Sequence, residues 1–252
     1  MAVGTAWTTL AERQGARAWL ARHGVAVDEP APLLAVRLGA RELATRSYPA
    51  YGVLSGVVWA FALVPLIPVL ARFLVFAVVC TAFPLLQWRR VWRADRAAAR
   101  LVPPGARPSL RVAAGQVGWW YLGAVATTFA GGVVLCAVFA AHPAGWAAAL
   151  VIGAASMTPV LGRALRAPVI AEDEASLAVD AALRAYDVRA FATPFAFQFF
   201  AWIDLSTSWP WPPARFVPAI GYFVLVGAVI VGAARAARRA GLPPGHYGTV
   251  TS

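Results

Sequence analysis

The residues from Tyr48 to Gln87 form an almost unbroken apolar run in which the one charge is Arg72, near the middle. A membrane-spanning helix needs about 20 consecutive apolar residues, so a run of this length fits two spans better than one. Pro65 and Pro68 lie just before Arg72, where a tight helical hairpin would turn. The sequence therefore predicts two antiparallel membrane helices, at 51–66 and 70–86.

Further apolar segments predict four more spans, at 117–141, 145–161, 191–207 and 216–234. The composition agrees, because 60% of the residues are hydrophobic, whereas soluble domains are about 45–50% apolar. We therefore expect an all-α polytopic membrane helix bundle of about six helices in three hairpins. It would fill residues 50–240, with loops at 89–116 and 162–190, an N-terminal helical segment at 1–49 and a disordered tail at 241–252.

The distribution of arginine predicts the orientation of this bundle. All 22 basic residues are arginine, and the net charge is +11. All except Arg72 and Arg215 fall on the side of the predicted spans that also holds both termini. The positive-inside rule then predicts a multi-pass protein of the cell membrane (an inner membrane) with both termini cytoplasmic. No base-reading or stacking module accompanies the charges, so we expect no nucleic-acid partner.

Two helices are expected before the first span. Thr9 and Glu12 have the spacing of a capping box, which predicts a helix over about Leu10–His23. A second helix should open at Asp28–Pro30 and run to about Thr45. Together they would form a cap that docks on the bundle or lies on the membrane surface; a separate partner-binding arm is the alternative.

A set of arginines follows the second span at spacings of four, three and four residues, which places them on one helical face. These are Arg89, Arg93, Arg96 and Arg100, with Trp88 and Trp92 on another face. The favoured interpretation is a stop-transfer flank that lies on the lipid bilayer, because an anionic membrane surface attracts each nearby basic residue by about 1 kcal/mol. A docking surface for a soluble protein partner is the alternative.

The loop after the fourth predicted span contains a helix from about Glu174 to Val188. Its acidic start is typical of helix capping. Its apolar stripe, formed by Val179, Leu183 and Tyr186, should dock on the bundle or on a partner. Two ion pairs are expected on its surface, Asp180–Arg184 and Arg184–Asp187.

This loop, residues 167–190, begins Ala167-Pro-Val-Ile-Ala-Glu-Asp-Glu-Ala-Ser-Leu and continues Ala-Val-Asp-Ala-Ala-Leu-Arg. It resembles a cytoplasmic loop of uncharacterised multi-pass membrane proteins of GC-rich bacteria. The resemblance implies a multi-pass membrane protein and carries over no catalytic residue.

Asp204 is the one carboxylate within any predicted span, and Gln198 lies six residues before it. A charge inside a membrane span usually has a partner or a function. The favoured interpretation is a pair between Asp204 and Arg215 at the outer interface. Exposure of Asp204 to outer water, or a functional carboxylate that couples a proton or contacts a substrate, are the alternatives.

No catalytic, cofactor-binding or metal-ligating residue stands out, so we expect no enzyme and no cofactor. A nucleotide-binding G-x-x-x-x-G-K motif cannot occur without lysine, and the two cysteines, Cys80 and Cys136, are isolated in apolar runs. The sequence favours a transport-related membrane subunit that works with a separate partner such as an ATPase. The alternative is a membrane-anchored regulatory or scaffold protein with partner-binding loops; a homo-oligomer remains open.

Overall fold

The computed structural model describes residues 8–62, 67–103, 105–192, 203–204, 213–238 and 242–249. Most of these residues are helical, as the sequence predicts. The helices are α1 (Leu10–Arg22), α2 (Pro32–Thr45), α3 (Tyr48–Ala62), α4 (Val69–Leu101), α5 (Leu110–Val117), α6 (Trp119–Val138), α7 (Pro143–Arg166), α8 (Glu174–Phe191) and α9 (Pro213–Arg238). Two short strands, β1 (Glu29–Pro30) and β2 (Gly248–Thr249), pair with each other.

Four helical stretches are long and apolar enough to cross a membrane, namely α4, α6, α7 and residues Phe216–Arg235 of α9. This finding agrees with the predicted all-α membrane bundle. α3, from Tyr48 to Ala62, covers residues 51–62 of the first predicted span, and residues 63–66 lie outside the described residues. The fifth predicted span, 191–207, lies outside the described residues except for the end of α8 at Phe191, Ala192, and the buried pair Ile203 and Asp204.

α4 is one continuous helix of 33 residues, about 50 Å long at 1.5 Å per residue. It joins the predicted span 70–86 to the predicted arginine-bearing helix. Pro84 lies inside it, and a proline lacks the N–H that would bond to the carbonyl of Cys80. The hydroxyl of Tyr51 on α3 donates to that carbonyl instead, at 3.3 Å, and its ring stacks on Phe83. This contact holds α3 against α4.

The membrane helices pack closely through glycines. A Cβ at Gly131 of α6 would lie 2.8 Å from the ring of Tyr222 on α9, and one at Gly132 would lie 2.9 Å from Leu150 on α7. The indole of Trp146 on α7 donates to the carbonyl of Gly132 at 2.6 Å. α6 therefore lies between α7 and α9, in contact with both.

The third predicted span begins differently from the prediction, which placed its start at residue 117. The helix is interrupted at Gly118, where φ is +100°, so α5 ends at Val117 and α6 begins at Trp119. Glycine adopts positive φ without the steric cost that a side chain brings. The turn separates the short α5 from the membrane helix.

The two N-terminal helices form a hairpin. The capping box of α1 is confirmed, because the N–H of Glu12 donates to the Thr9 hydroxyl and the Glu12 carboxylate accepts the Thr9 N–H at 2.8 Å. The predicted start of the second helix at Asp28–Pro30 is wrong. Glu29 and Pro30 are extended in β1, and α2 begins at Pro32, whose fixed φ suits a first helical turn.

The predicted disordered tail is wrong for residues 242–249. β2 pairs antiparallel with β1, and Tyr247 is 2% exposed within the apolar core of α1, α2 and α8. The backbone N–H of Ala31 donates to the carbonyl of Tyr247 at 3.0 Å. An aromatic side chain and strand hydrogen bonds thus attach the tail. We call α1, α2, α8 and the strand pair the helical cap.

The C-terminal end of α8 is anchored in the bundle by tyrosines. The last carbonyls of a helix have no partner within it. The hydroxyl of Tyr121 on α6 donates to the carbonyls of Val188, at 3.0 Å, and Ala192. The hydroxyl of Tyr48 on α3 donates to the carbonyl of Ala190. The cap is therefore bonded directly to two helices of the bundle.

The start of α8 confirms the capping interpretation of its acidic residues. Asp173 is the N-cap: its carboxylate accepts the N–H of Ser176 at 2.8 Å, and the Ser176 hydroxyl accepts the N–H of Asp173 at 3.0 Å. These bonds from Ser176 hold the pKa of Asp173 below its usual value. The ionised carboxylate therefore stabilises the folded state.

We expect Asp173→Ala to cost about 1 kcal/mol of stability near pH 7. The contribution of the ionised carboxylate is complete above its unfolded pKa of about 3.9 and is lost as pH falls through the lower folded pKa. The difference in unfolding midpoint between wild type and Asp173→Ala, measured in detergent, should therefore shrink in acid. Glu172→Ala, which removes an exposed neighbouring carboxylate, is the control. An Asp173→Ala difference that stays constant with pH would contradict the capping role.

Candidate functional site: a buried charge cluster

Seven charged side chains from four helices meet where the helical cap joins the bundle. We call them the charge cluster: Arg37 and Arg41 of α2, Asp95 of α4, Arg163 of α7, and Asp180, Arg184 and Asp187 of α8. Six of them are less than 9% exposed, and the side chain of Arg163 is 26% exposed. Charged side chains are almost never so buried unless they are paired.

Helical spacing brings these residues together. Arg37 and Arg41 are four residues apart on α2, so they project from one face. Asp180, Arg184 and Asp187 lie on one face of α8 for the same reason, while Asp95 is the single acidic residue of α4. Each helix therefore supplies its charges from the face that it turns toward the others.

Asp95 is the centre of the cluster. Its Oδ1 accepts hydrogen bonds from Nε of Arg37 at 3.1 Å and from Nη1 of Arg41 at 3.0 Å. Its Oδ2 accepts from Nη2 of Arg41 at 3.0 Å and from Nη2 of Arg163 at 3.2 Å. One carboxylate thus joins α4 to both α2 and α7.

The two inner aspartates of α8 complete the pairing. Asp187 accepts from Nε and Nη2 of Arg41, at 2.8 and 2.7 Å, in the bidentate geometry that guanidinium and carboxylate favour. Asp180 accepts from Nη2 of Arg37 at 2.6 Å and from Nε of Arg184 at 3.1 Å. The side chains of α2 and α8 are therefore joined at two points.

The remaining donors reach backbone carbonyls at the end of α7 and beyond it. Arg184 donates to the carbonyls of Ala164 and Ala167, both at 2.9 Å. Arg37 donates to the carbonyl of Ile170 at 2.8 Å. Guanidinium groups suit this place because carbonyls at a helix C-terminus carry partial negative charge. The segment that connects α7 to α8 is fixed by these bonds.

Four arginines and three aspartates leave the cluster with one net positive charge. Burial by itself disfavours the charged guanidinium of Arg41, but the attraction of Asp187 and Asp95 outweighs it, and the pKa of Arg41 is raised. Arg41 therefore stays charged and cannot act as a general base. The cluster is built to hold helices together.

The cavity between these side chains has a volume of about 30 Å³. It is large enough for a water molecule and too small for an organic substrate. Within the part of the chain that the structure describes, no group of three or more His, Cys, Asp or Glu residues could hold a metal ion. The geometry favours a structural junction over a substrate site.

The predicted arginine face lies on the outside of α4, opposite Asp95. Arg89, Arg93, Arg96 and Arg100 are all exposed, whereas Asp95 is 3% exposed. Trp88 and Trp92 stack with ring centroids 5.8 Å apart, and the guanidinium of Arg96 lies 3.5 Å from the centre of the Trp92 ring. One helix thus turns a carboxylate inward and a row of arginines outward.

The predicted apolar stripe of α8 packs inside the helical cap. Val179 and Leu183 are 0% and 1% exposed in a core shared with α1 and α2. The Tyr186 ring lies edge-on to Trp19 of α1, with centroids 6.5 Å apart. Docking of this stripe is therefore intramolecular, against the N-terminal hairpin.

Of the two ion pairs predicted within α8, Asp180–Arg184 is confirmed at 3.1 Å. The predicted Arg184–Asp187 pair is wrong. Asp187 instead pairs with Arg41 of α2 at 2.7 Å, because both face the buried interface between the helices. A guanidinium from another helix reaches this carboxylate with better geometry than its neighbour on the same helix.

Asp204 lies near the turn between α6 and α7. Its carboxylate accepts the backbone N–H groups of Ala141 and His142, both at 2.9 Å, and lies 3.2 Å from Nδ1 of His142. Gln198 and the side chain of Arg215 lie outside the described residues, so the Asp204–Arg215 pair stays a prediction. The contact with His142 was not predicted, and nothing in the sequence indicates it.

The sequence did contain a signal for the charge cluster. Asp95 is one carboxylate among seven arginines between the second and third predicted spans, and Arg37 and Arg41 interrupt a mostly apolar helix. Both arginines count toward the orientation of the bundle, which is why their pairing was missed. Buried charges of opposite sign on separate helices should be tested as partners before they are assigned to the surface.

No family model matches this chain, and no curated protein and no solved structure matches it either.

Proposed function

We propose that this protein is a six-span cell-membrane protein that acts as a membrane-anchored scaffold and presents its helical cap, together with the part of α4 that the cap packs on, to a protein partner on the cytoplasmic side. The observation that carries the proposal is the charge cluster. It joins α2, α4, α7 and α8 into one body through paired, buried charges. A surface that must be recognised by a partner benefits from such pre-organisation.

The strand pair supports an even number of membrane crossings. β1 lies near the start of the chain and β2 near its end, and the two are hydrogen-bonded. Segments that pair in this way lie on the same side of a membrane. The distribution of arginine supports the cytoplasm as that side.

Reporter fusions test this topology. Fusions after Arg100, Ala171 and Ala240 should report a cytoplasmic location, because the arginine-rich segments resist translocation. Fusions after His142 and Trp211 should report the outside. The same reporter at both sets of positions serves as the internal control, and an outside signal at Ala171 would contradict the six-span topology.

The small cavity in the charge cluster favours a scaffold over a protein that binds a substrate at this place. A substrate site needs a pocket of about 300–1,000 Å³, whereas the space among the charges is about 30 Å³. The buried charges bond to one another and to backbone carbonyls, so their hydrogen-bonding capacity is used within the protein. The outward arginines of α4 remain for contact with a partner.

A transport-related subunit that works with a separate ATPase is the second candidate. α4 favours it, because one continuous helix runs from the apolar bundle to the centre of the charge cluster. A force applied to the helical cap would be transmitted along that helix. A scaffold uses the same helix as a fixed support.

Purification of the tagged chain from its native membranes, with identification of stoichiometric partners, separates these functions. A partner without ATPase activity supports the scaffold; an ATPase whose turnover is stimulated by the chain supports the transport subunit and overturns our proposal. Asp95→Asn, which weakens the charge cluster, should insert in the membrane and lose the partner. Arg22→Gln, at an exposed ion pair, is the matched control and should keep it. The absence of any stoichiometric partner would contradict both functions.

A further inference from the structure

We propose that the exposed arginine face of α4 binds an acidic segment of a protein partner. The face consists of Arg89, Arg93, Arg96 and Arg100. The inference rests on the proposed scaffold function and names the chemistry of the partner.

No aspartate or glutamate side chain of the protein neutralises the positive charge of this face. All 11 acidic residues are among the described residues, and none forms an ion pair with any of these four arginines. Asp95, Asp180 and Asp187 are buried in the charge cluster, while Glu42 pairs with Arg22 and Glu29 with Arg13. Because no aspartate or glutamate pairs with these arginines, the outer face of α4 is strongly basic.

The face is held in a fixed orientation. Asp95 projects from the opposite side of α4 and is bonded to three arginines, so the helix cannot rotate without breaking the charge cluster. The guanidinium of Arg96 stacks on Trp92, which stacks on the buried Trp88. A stacked guanidinium keeps its in-plane N–H groups for a carboxylate and loses less entropy when it binds one.

The length of the face favours a protein over the lipid surface. The apolar part of α4, from Val69 to Leu86, spans about 27 Å, close to the thickness of the hydrocarbon core. Arg89 follows directly and lies at headgroup level. Arg96 and Arg100 lie about 10 and 16 Å further along the helix, beyond a headgroup layer of about 5–7 Å. These two arginines therefore face the aqueous side.

The other predicted partner surface is already occupied. Val179 and Leu183 are buried within the helical cap and Tyr186 is half-buried against Trp19, so the apolar stripe of α8 packs within the chain. The spacing of the arginines, four, three and four residues, matches carboxylates that recur once per turn on a partner helix. An acidic helix or extended acidic tail would pair with the face along its length.

The test uses the full chain in nanodiscs and a fluorescein-labelled oligoglutamate peptide, with binding measured by anisotropy. The face variant carries Arg93→Gln, Arg96→Gln and Arg100→Gln. The matched control carries Arg17→Gln, Arg46→Gln and Arg107→Gln, which removes the same charge from exposed positions elsewhere. Unfolding midpoints equal to that of wild type verify that both variants are folded.

We expect the face variant to bind the peptide at least about tenfold more weakly than wild type, and the control to bind within about twofold, because close charge pairs are disrupted in the first and not in the second. The affinity of wild type should fall with added salt. Equal weakening in both variants would show attraction by net charge alone and would overturn the proposal.

The lipid composition of the nanodiscs tests whether anionic lipid headgroups, and not a protein, occupy the arginine face of α4. The difference in affinity between the face variant and the control should persist when phosphatidylcholine is partly replaced by phosphatidylglycerol, because the anionic surface repels the acidic peptide from both variants alike. Disappearance of that difference in the anionic discs would assign the face to lipid headgroups and overturn the proposal. If the native partner co-purifies with the face variant as well as with wild type, the scaffold function stands and this face is excluded as its site.

Discussion

Asp95→Ala is expected to destabilise the folded protein by about 3–5 kcal/mol, the cost of removing one partner from a buried ion pair. Asp95 accepts four hydrogen bonds, from Arg37, Arg41 and Arg163. Its removal leaves two guanidinium groups buried with excess positive charge. The helical cap should then separate from α4 and α7 before the membrane helices unfold.

The free energy of unfolding can be measured by denaturant titration in mixed micelles, and separation of the cap by hydrogen exchange in α2 and α8. Arg22→Ala is the control, because Arg22 pairs with Glu42 while 55% of its side chain is exposed. Such surface pairs contribute about 0–1 kcal/mol. If Asp95→Ala cost no more than the control, the charge cluster would not be what joins the cap to the bundle.

Gly39→Ala should destabilise the helical cap by about 3 kcal/mol, at the upper end of the cost of overpacking. A Cβ at Gly39 would lie 2.4 Å from the backbone oxygen of Glu12 and 2.5 Å from its Cα. Backbone atoms cannot move aside as a flexible side chain can, so α1 would have to shift away from α2. Trp19, which is 1% exposed in the core of the cap, would then gain contact with water.

Thermal unfolding followed by tryptophan fluorescence measures this effect, with Gly115→Ala as the matched control. Gly115 also lies in a helix, but apart from its chain neighbours and the backbone of its own helix, no described atom lies within 4 Å of the position that its Cβ would take. Alanine favours a helix over glycine by about 1 kcal/mol, so the control should be neutral or stabilising. Equal unfolding midpoints for the two variants would contradict the close approach of α1 and α2.

The elements with a strong periodic or apolar pattern were predicted well. The capping box at Thr9, the helix that follows Asp173 and the apolar helices from Val69, Pro143 and Phe216 all agree with the structure. Each depends on interactions among residues close in the chain. Local hydrogen bonds and a continuous apolar surface can be recognised from the order of the residues alone.

The errors share a different origin. Glu29 and Pro30 looked like the start of a helix, and the tail looked disordered, because the partner of each lies more than 200 residues away in the chain. Spacing within α8 predicts a pair between Asp187 and Arg184, but Arg41 approaches Asp187 from α2. Contacts of this kind depend on how the helices are arranged in space, and helix propensity and residue spacing do not reveal that arrangement.

The sequence by itself determined that the chain is a helical protein with apolar segments suited to a membrane, and which helix faces carry charge. The tertiary structure decided which of those charges are buried. A guanidinium on a helix face has the same sequence signature whether water or a carboxylate solvates it. Asp95 and the arginines on the other side of α4 show the difference: the inward carboxylate is enclosed by α2, α7 and α8, while nothing described covers the outward arginines. Burial depends on which helices pack together, because desolvation is a property of the neighbours and not of the residue.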